Sequence, residues 1–131
     1  AHCENAQKVA DWLADQSSVS NVIYPSLMDT PMKARAEAVL NGGYGALPGF
    51  ELVGGAEAGQ RFIDALQMLY HVANIGDARS LAIHPASTTH SQLSTEDQLA
   101  SGVTPGYVRL SIGIEHIDDI LADLGQALKA V

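Results

Sequence analysis

One arginine occupies the centre of a segment that otherwise has the pattern of an apolar β-strand. Between residues 107 and 115, Val108, Leu110, Ile112 and Ile114 alternate with residues that include Arg109 and Ser111, and this period of two places the two sets on opposite faces of a strand. A guanidinium among aliphatic side chains is costly unless it has a partner, and its planar fork of donors suits a carboxylate. Two partners remain open: an acidic side chain of this protein, in an internal salt bridge, or the carboxylate of a ligand.

The polar segment 85–92 and the histidines beside it hold other groups that could do chemistry. His84 and His90 lie close in sequence, but no Cys, Asp or Glu stands between them at ligand spacing, and a catalytic zinc site usually takes three protein ligands. Hydroxyl residues surround His90, yet no nearby carboxylate would orient its imidazole for nucleophilic catalysis. We therefore expect no metal site and no catalytic residue here, only a surface loop or the rim of a pocket.

Motifs that bind phosphate-bearing cofactors are absent from the sequence. The glycine-rich stretch 41–45 (NGGYG) is followed by no lysine that could reach a phosphate, and no GxGxxG or GxxxxGK[ST] pattern occurs. The stretch therefore predicts a turn between a helix and a strand.

Hydrophobic periodicity and turn residues predict the elements that must position these groups. Asp29-Thr30-Pro31 begins the second helix, with a capping hydroxyl and a proline at the first helical position, and the capping box Ser94-Thr95-Glu96-Asp97 begins the fourth. The predicted helices are 4–16, 31–40, 57–70, 95–101 and 117–131, and the predicted strands are 19–24, 46–53, 80–83 and 107–115.

Two details of these elements constrain the fold. Pro48-Gly49 interrupts the strand 46–53, and because proline lacks the N–H that a ladder needs, we expect an edge position or a bulge there. In the helix 57–70 the residues predicted to face the core are Phe62, Leu66, Leu69 and Tyr70. Four strands separated by helices, with no repeat and no linker, predict one two-layer α/β domain over residues 1–131.

Composition excludes several classes of function. Hydrophobic residues make up 47% of the chain and charged residues 17%, with a formal net charge of −8, so the scattered Lys and Arg form no patch for nucleic acid. No apolar run is long enough for a membrane span. The single cysteine, Cys3, cannot form an intrachain disulfide, so nothing suggests an oxidising compartment, and we expect a cytoplasmic protein. The start Ala1-His2-Cys3-Glu4, which lacks Met, leads us to expect a fragment of a longer protein.

Two long segments carry a resemblance to a known family. Residues 73–90 (ANIGDARSLAIHPASTTH) and 106–119 (GYVRLSIGIEHIDD) resemble the late motifs of O-acetylhomoserine sulfhydrylases, which belong to the Cys/Met-metabolism group of pyridoxal-phosphate (PLP) enzymes of fold type I. The resemblance covers essentially the whole chain. It implies the small C-terminal domain of such an enzyme, with mostly antiparallel strands and helices packed on one face.

The resemblance also implies roles for particular residues. Arg109 stands where the family has the arginine that binds the substrate α-carboxylate, and Asn74 stands where related lyases have the serine of a Ser-Leu-Gly motif. Thr89 and His90 are expected at the active-site rim. No catalytic or cofactor-binding residue is expected in this chain, because none of its lysines has the setting that the family uses for the PLP Schiff base.

For the intact enzyme the resemblance implies PLP as cofactor, held by a large domain absent from this chain. It also implies assembly into a homo-oligomer. The implied reaction converts O-acetyl-L-homoserine and sulfide to L-homocysteine and acetate, in methionine and cysteine metabolism, and the chain alone is expected to be inactive. Two other classes stay open: an amino-acid-binding regulatory module, or the corresponding domain of a cystathionine synthase or lyase. A pure oligomerisation unit is a third.

Overall fold

The structure is a computed structural model that describes residues 1–131, folded as five strands and five α-helices. The strands form one sheet in the order β1-β2-β5-β4-β3, antiparallel throughout except for the parallel pair β3–β4. In chain order the elements are α1 His2–Ala14, β1 Val19–Ile23, α2 Thr30–Val39, β2 Gly49–Leu52, α3 Gly55–Ala65, β3 Tyr70–His71, β4 Leu81–Ile83, α4 Thr95–Ala100, β5 Tyr107–Ser111 and α5 Ile117–Leu128.

The core lies between one face of the sheet and the helices α1, α3 and α5. Each of these helices buries an apolar stripe, because its apolar residues recur at the spacing of the helical turn. From the sheet, Phe50, Val108, Leu110 and Ile112 fill the same core, and the Phe50 and Phe62 rings meet edge to face at 5.3 Å. The predicted two-layer α/β class is confirmed, with one strand more than the four predicted.

The position predicted for Pro48-Gly49 is wrong. β2 is an interior strand, flanked by β1 and β5, and the irregularity in its ladder lies opposite Val19 and Asn21 rather than at the proline. Pro48 is tolerated because it precedes the strand and contributes its carbonyl, which accepts the N–H of Leu110 at 2.9 Å. The ladder therefore loses no bond to the missing donor of proline.

The third helix also ends earlier than its periodicity predicts. α3 stops at Ala65. Tyr70 belongs instead to β3, an additional edge strand, and the Tyr70 residue is 54% exposed. The buried carboxylate of Asp123 on α5 accepts the backbone N–H groups of Gln67, Met68 and Leu69. These three donors are therefore satisfied outside a helix, which the local sequence does not reveal.

Smaller corrections concern a cap and the end of β5. The N-cap of α2 is the carboxylate of Asp29, which accepts from the N–H of Met32 at 3.2 Å, and not a hydroxyl. β5 ends at Ser111, so Ile114 leaves the aliphatic face predicted for it and is 54% exposed. The hydroxyl of Ser94 caps α4 as predicted.

None of the helices combines the length and the apolar composition that crossing a bilayer requires.

Candidate functional site

Arg109 lies at the centre of the sheet, on β5. Its cross-strand neighbours are Gly49 on β2 and Ile83 on β4. Because Val108 and Leu110 on either side of it point into the core, the pleat directs Arg109 to the opposite face, away from the helices α1, α3 and α5. A strand with neighbours on both sides gives the guanidinium a rigid base.

The guanidinium of Arg109 has backbone partners only. Its Nη2 donates to the carbonyl of Ala73 at 2.9 Å and, more weakly, to that of Asn74 at 3.4 Å. Its Nε is buried without any hydrogen-bond partner. No acidic side chain forms an ion pair with it, so the internal salt bridge that the sequence left open is not formed.

Arg109 forms one wall of an open cleft of about 500 Å³, and the other wall is the segment 73–77. The carboxylate of Asp77 also lines the cleft, but it is engaged by Arg79, whose backbone N–H donates to Asp77 Oδ1 at 2.9 Å. The Arg79 Nε stands 3.9 Å from the same oxygen. The positive charge of Arg109 is thus left unpaired at the cleft, an environment that favours a small anion.

The structure brings Asn74 to the cleft but not Thr89 or His90. Asn74 is exposed and lines the cleft, and its backbone carbonyl contacts Arg109. Thr89 Oγ1 and His90 Nδ1 are hydrogen-bonded to each other at 2.9 Å, and neither residue lines the cleft. Ser111, expected beside Arg109, is only 2% exposed, and its hydroxyl accepts the N–H of Gly76 at 3.0 Å.

Tyr107, for which the sequence predicted no role, lies two residues before Arg109 on the same strand face. A Cβ added at Gly49 would stand 2.5 Å from the Tyr107 hydroxyl oxygen, so the ring covers Gly49 directly beside the arginine. Burial raises the pKa of Tyr107; the charge of Arg109 opposes this shift and that of Glu51 adds to it. The phenol therefore stays protonated in the neutral range. The period of two that located Arg109 would have located Tyr107 as well.

His84 is a buried structural histidine. Its Nδ1 is 2.8 Å from the hydroxyl of Ser87, and its Nε2 is 2.6 Å from the carbonyl oxygen of Pro105. Both ring nitrogens are therefore occupied by protein groups. No cluster of three His, Cys, Asp or Glu side chains could hold a metal ion.

The three lysines lie away from the cleft. Lys8 is on α1, Lys33 is on α2 and Lys129 follows α5, and all three are exposed. None lines the cleft beside Arg109. The residues present at this site therefore do not fit a cofactor that is held through a lysine.

Comparison with known proteins gives both sulfhydrylases and a lyase as relatives. The chain is 51% identical to an O-acetyl-L-homoserine sulfhydrylase of Leptospira meyeri, over 99% of this chain and 30% of that protein. It is also 51% identical to O-acetyl-L-homoserine sulfhydrylase 1 of Thermus thermophilus, over 97% and 30%, and 47% identical to an L-methionine gamma-lyase of Pseudomonas putida, over 98% and 32%. The chain thus spans about 30% of the length of these relatives.

A solved structure shares the fold. The crystal structure of an O-acetylhomoserine (thiol)-lyase from Campylobacter jejuni, which carries N'-pyridoxyl-lysine-5'-monophosphate, superimposes with a TM-score of 0.89 at 40% identity, over 98% of this chain and 30% of that one. The family of Cys/Met metabolism PLP-dependent enzymes matches residues 1–129. The family resemblance of the two motif segments is confirmed, and the chain belongs to the Cys/Met metabolism family of PLP-dependent enzymes.

Proposed function

We propose that this chain is the small, substrate-carboxylate-binding domain of a PLP-dependent O-acetylhomoserine sulfhydrylase. In this proposal the full-length protein converts O-acetyl-L-homoserine and sulfide to L-homocysteine and acetate. The 131 residues form its C-terminal domain, and Arg109 binds the α-carboxylate of the amino-acid substrate. The identity of 51% to two sulfhydrylases supports the choice of reaction.

The observation that carries the site assignment is the state of the Arg109 guanidinium. It lines an open cleft, it has no carboxylate partner, and its Nε is buried without an acceptor. A buried donor without a partner costs free energy in the unliganded protein, and a substrate carboxylate that accepts from this guanidinium would remove part of that cost. A charged pair in this setting binds more strongly than a neutral hydrogen bond.

PLP, in this proposal, supplies the electron sink for the chemistry at the substrate carbons. The lysine that holds it is then expected in the part of the full-length protein outside these 131 residues, because Lys8, Lys33 and Lys129 are exposed and none of them lines the cleft. The task of this chain is then to hold and orient the substrate by its carboxylate.

The test is the substitution Arg109→Ala in the full-length protein, with Arg109→Lys beside it. Loss of the charged contact should weaken the apparent affinity for the amino-acid substrate by on the order of 2–5 kcal/mol, a factor of about 30 or more. Lysine keeps the charge but not the planar fork, so it should restore only part of the affinity.

The matched control is Arg61→Ala, an exposed arginine on α3 whose only charged partner is Glu57. It removes the same charge from the helical layer and should leave the substrate constant unchanged. An Arg109→Ala enzyme with the substrate constant of the Arg61→Ala enzyme would contradict the proposed role.

The rival reaction is supported by the 47% identity to an L-methionine gamma-lyase. The two reactions separate in one assay of the full-length protein. A sulfhydrylase forms homocysteine from O-acetyl-L-homoserine and sulfide, whereas a γ-lyase releases a thiol from methionine without any added sulfide. Faster turnover of methionine than of O-acetyl-L-homoserine would favour the lyase.

A further inference from the structure

We infer that Ser111, Ser80 and Glu115 are positioning residues: together they fix the segment 73–77 against β5 and thereby orient the Arg109 guanidinium. This inference rests on the proposed function, in which Arg109 binds the substrate carboxylate. The three side chains touch neither substrate nor cofactor in it. They act through the backbone carbonyls of Ala73 and Asn74, which hold the Arg109 Nη2.

Two sets of hydrogen bonds, called tethers here, hold the segment 73–77. The first joins it to β5, the strand that carries Arg109. Ser111 lies two residues beyond Arg109 on the same strand face, and its Oγ accepts the N–H of Gly76 at 3.0 Å. Gly76 has a φ of +75°, which turns the chain at this point and which other residues rarely adopt. The turn therefore depends on a glycine for its shape and on Ser111 for its place.

The second tether is a closed set of hydrogen bonds just beyond the segment. The carboxylate of Glu115 accepts the N–H of Ser80 at 2.5 Å and the Ser80 hydroxyl at 2.8 Å. The same hydroxyl oxygen accepts the N–H of Gly113 at 2.9 Å. Both carboxylate oxygens and both functions of the Ser80 hydroxyl are thus used, and Ser80 is fully buried.

In the second tether, the backbone at Gly113 lies directly against the backbone at Ala78. A Cβ on Gly113 would overlap the Ala78 carbonyl oxygen and the Glu115 carboxylate, and the N–H of Ile114 donates to the Ala78 carbonyl at 2.9 Å. The segment 73–77 is consequently anchored at Gly76 and, directly after its end, at residues 78–80. At the start of the segment, the carbonyls of Ala73 and Asn74 are held by the hydrogen bonds that they accept from Arg109.

The arrangement has a consequence for substrate affinity. With the Nη2 held by two carbonyls, the guanidinium plane is fixed before a ligand arrives, and Nη1 and Nε keep no protein acceptor. A clamp ordered in advance loses less conformational freedom on binding than one that must be ordered by its ligand. Releasing a tether should therefore weaken binding of the carboxylate-bearing substrate, while sulfide, which has no carboxylate, should be unaffected.

The experiment compares Ser111→Ala, Glu115→Ala and Glu115→Gln in the full-length enzyme, with KM measured separately for the amino-acid substrate and for sulfide. Ser111→Ala and Glu115→Ala should each raise the KM for the amino-acid substrate about tenfold, equal to about 1.4 kcal/mol, with little change in the KM for sulfide. Glutamine keeps an acceptor for the Ser80 N–H, but its amide NH2 cannot accept the Ser80 O–H, so Glu115→Gln should restore only part of the affinity.

Leu128→Ala is the matched control, since it removes a buried side chain from α5 on the opposite side of the sheet. It should lower the thermal unfolding midpoint without raising the KM for the amino-acid substrate. An equal rise in KM for Leu128→Ala, or in both KM values for the tether variants, would overturn the inference.

The outcomes also separate the inference from the proposed function. If Arg109→Ala raises the KM for the amino-acid substrate and the tether variants do not, the positioning role is wrong and the carboxylate clamp stands. If Arg109→Ala also leaves that KM unchanged, both fail.

Discussion

The carboxylate of Asp123 holds the backbone N–H of Leu69 at 2.9 Å, across 54 positions of sequence. The same carboxylate accepts from Gln67 at 2.9 Å and from Met68 at 2.8 Å, and it is 6% exposed. One side chain of α5 thus satisfies three consecutive donors after α3 and directs the chain into β3. Because β3 precedes the segment 73–77, this contact fixes where the wall of the cleft begins.

Asp123→Ala should be one of the most destabilising single substitutions in the chain. It leaves three backbone donors without their acceptor, and we expect the free energy of unfolding to fall by about 3–5 kcal/mol. Denaturant unfolding measures this change. Asp64→Ala, an exposed position on α3, is the control and should change stability by less than about 0.5 kcal/mol; equal effects of the two substitutions would contradict the role of Asp123.

Gly49→Ala should destabilise the sheet by about 1–3 kcal/mol, because the added methyl group meets the Tyr107 ring. In a Tyr107→Ala background the ring is absent, and the same substitution should become neutral or slightly stabilising, since glycine is unfavourable within a strand. A double-mutant cycle by denaturant unfolding measures the coupling. Additive effects of the two substitutions would show that the ring does not cover Gly49.

Tyr24 should make the protein less stable in alkali. Its hydroxyl is buried and donates to the carbonyl of Gly45 at 2.8 Å, and burial, with smaller contributions from Cys3, Asp11 and Tyr44, raises its pKa from 10.0 to about 12. Between these two values the unfolded state loses the phenolic proton while the folded state keeps it. The stabilisation is therefore complete below pH 10 and is lost as the pH rises to about 12.

Unfolding midpoints measured across this pH range test the prediction for Tyr24. Tyr24→Phe removes the ionisable group and should flatten the decline, leaving the smaller part due to Tyr107, whose pKa is also raised. Tyr70→Phe, at an exposed edge position, should leave the decline as in the parent protein. An unchanged decline in Tyr24→Phe would mean that another group titrates there.

The 131-residue chain alone should not hold PLP in a defined site. Its three lysines are exposed, so they should react with the aldehyde of PLP only as free surface amines do. Titration of the purified chain, followed by absorption spectroscopy, should show no saturable Schiff-base band, whereas the full-length protein should show one. A stoichiometric Schiff-base band in the 131-residue chain would contradict the proposal that PLP is held outside these residues.

The local sequence pattern was enough to predict the elements that bury one face and expose the other. β5 and α5 have unbroken apolar periods, and each follows from the geometry of a single strand or helix. The cap of α4 was predictable for the same reason, since a cap joins residues three apart. Arg109 was recognisable because it is a charged residue at the centre of a strand whose alternate positions are aliphatic.

The sequence alone thus determined where β5 begins, which face of it carries Arg109, and which family the chain resembles. Only the tertiary structure decided what surrounds the guanidinium: the carbonyls of Ala73 and Asn74 rather than an acidic side chain, the Tyr107 ring over Gly49, and the tethers to Ser111 and Glu115. It also decided that β2 is interior and that α3 ends at Ala65. These contacts join residues more than thirty positions apart, and their partners are set by how the layers pack, which no local period of two or of 3.6 residues encodes.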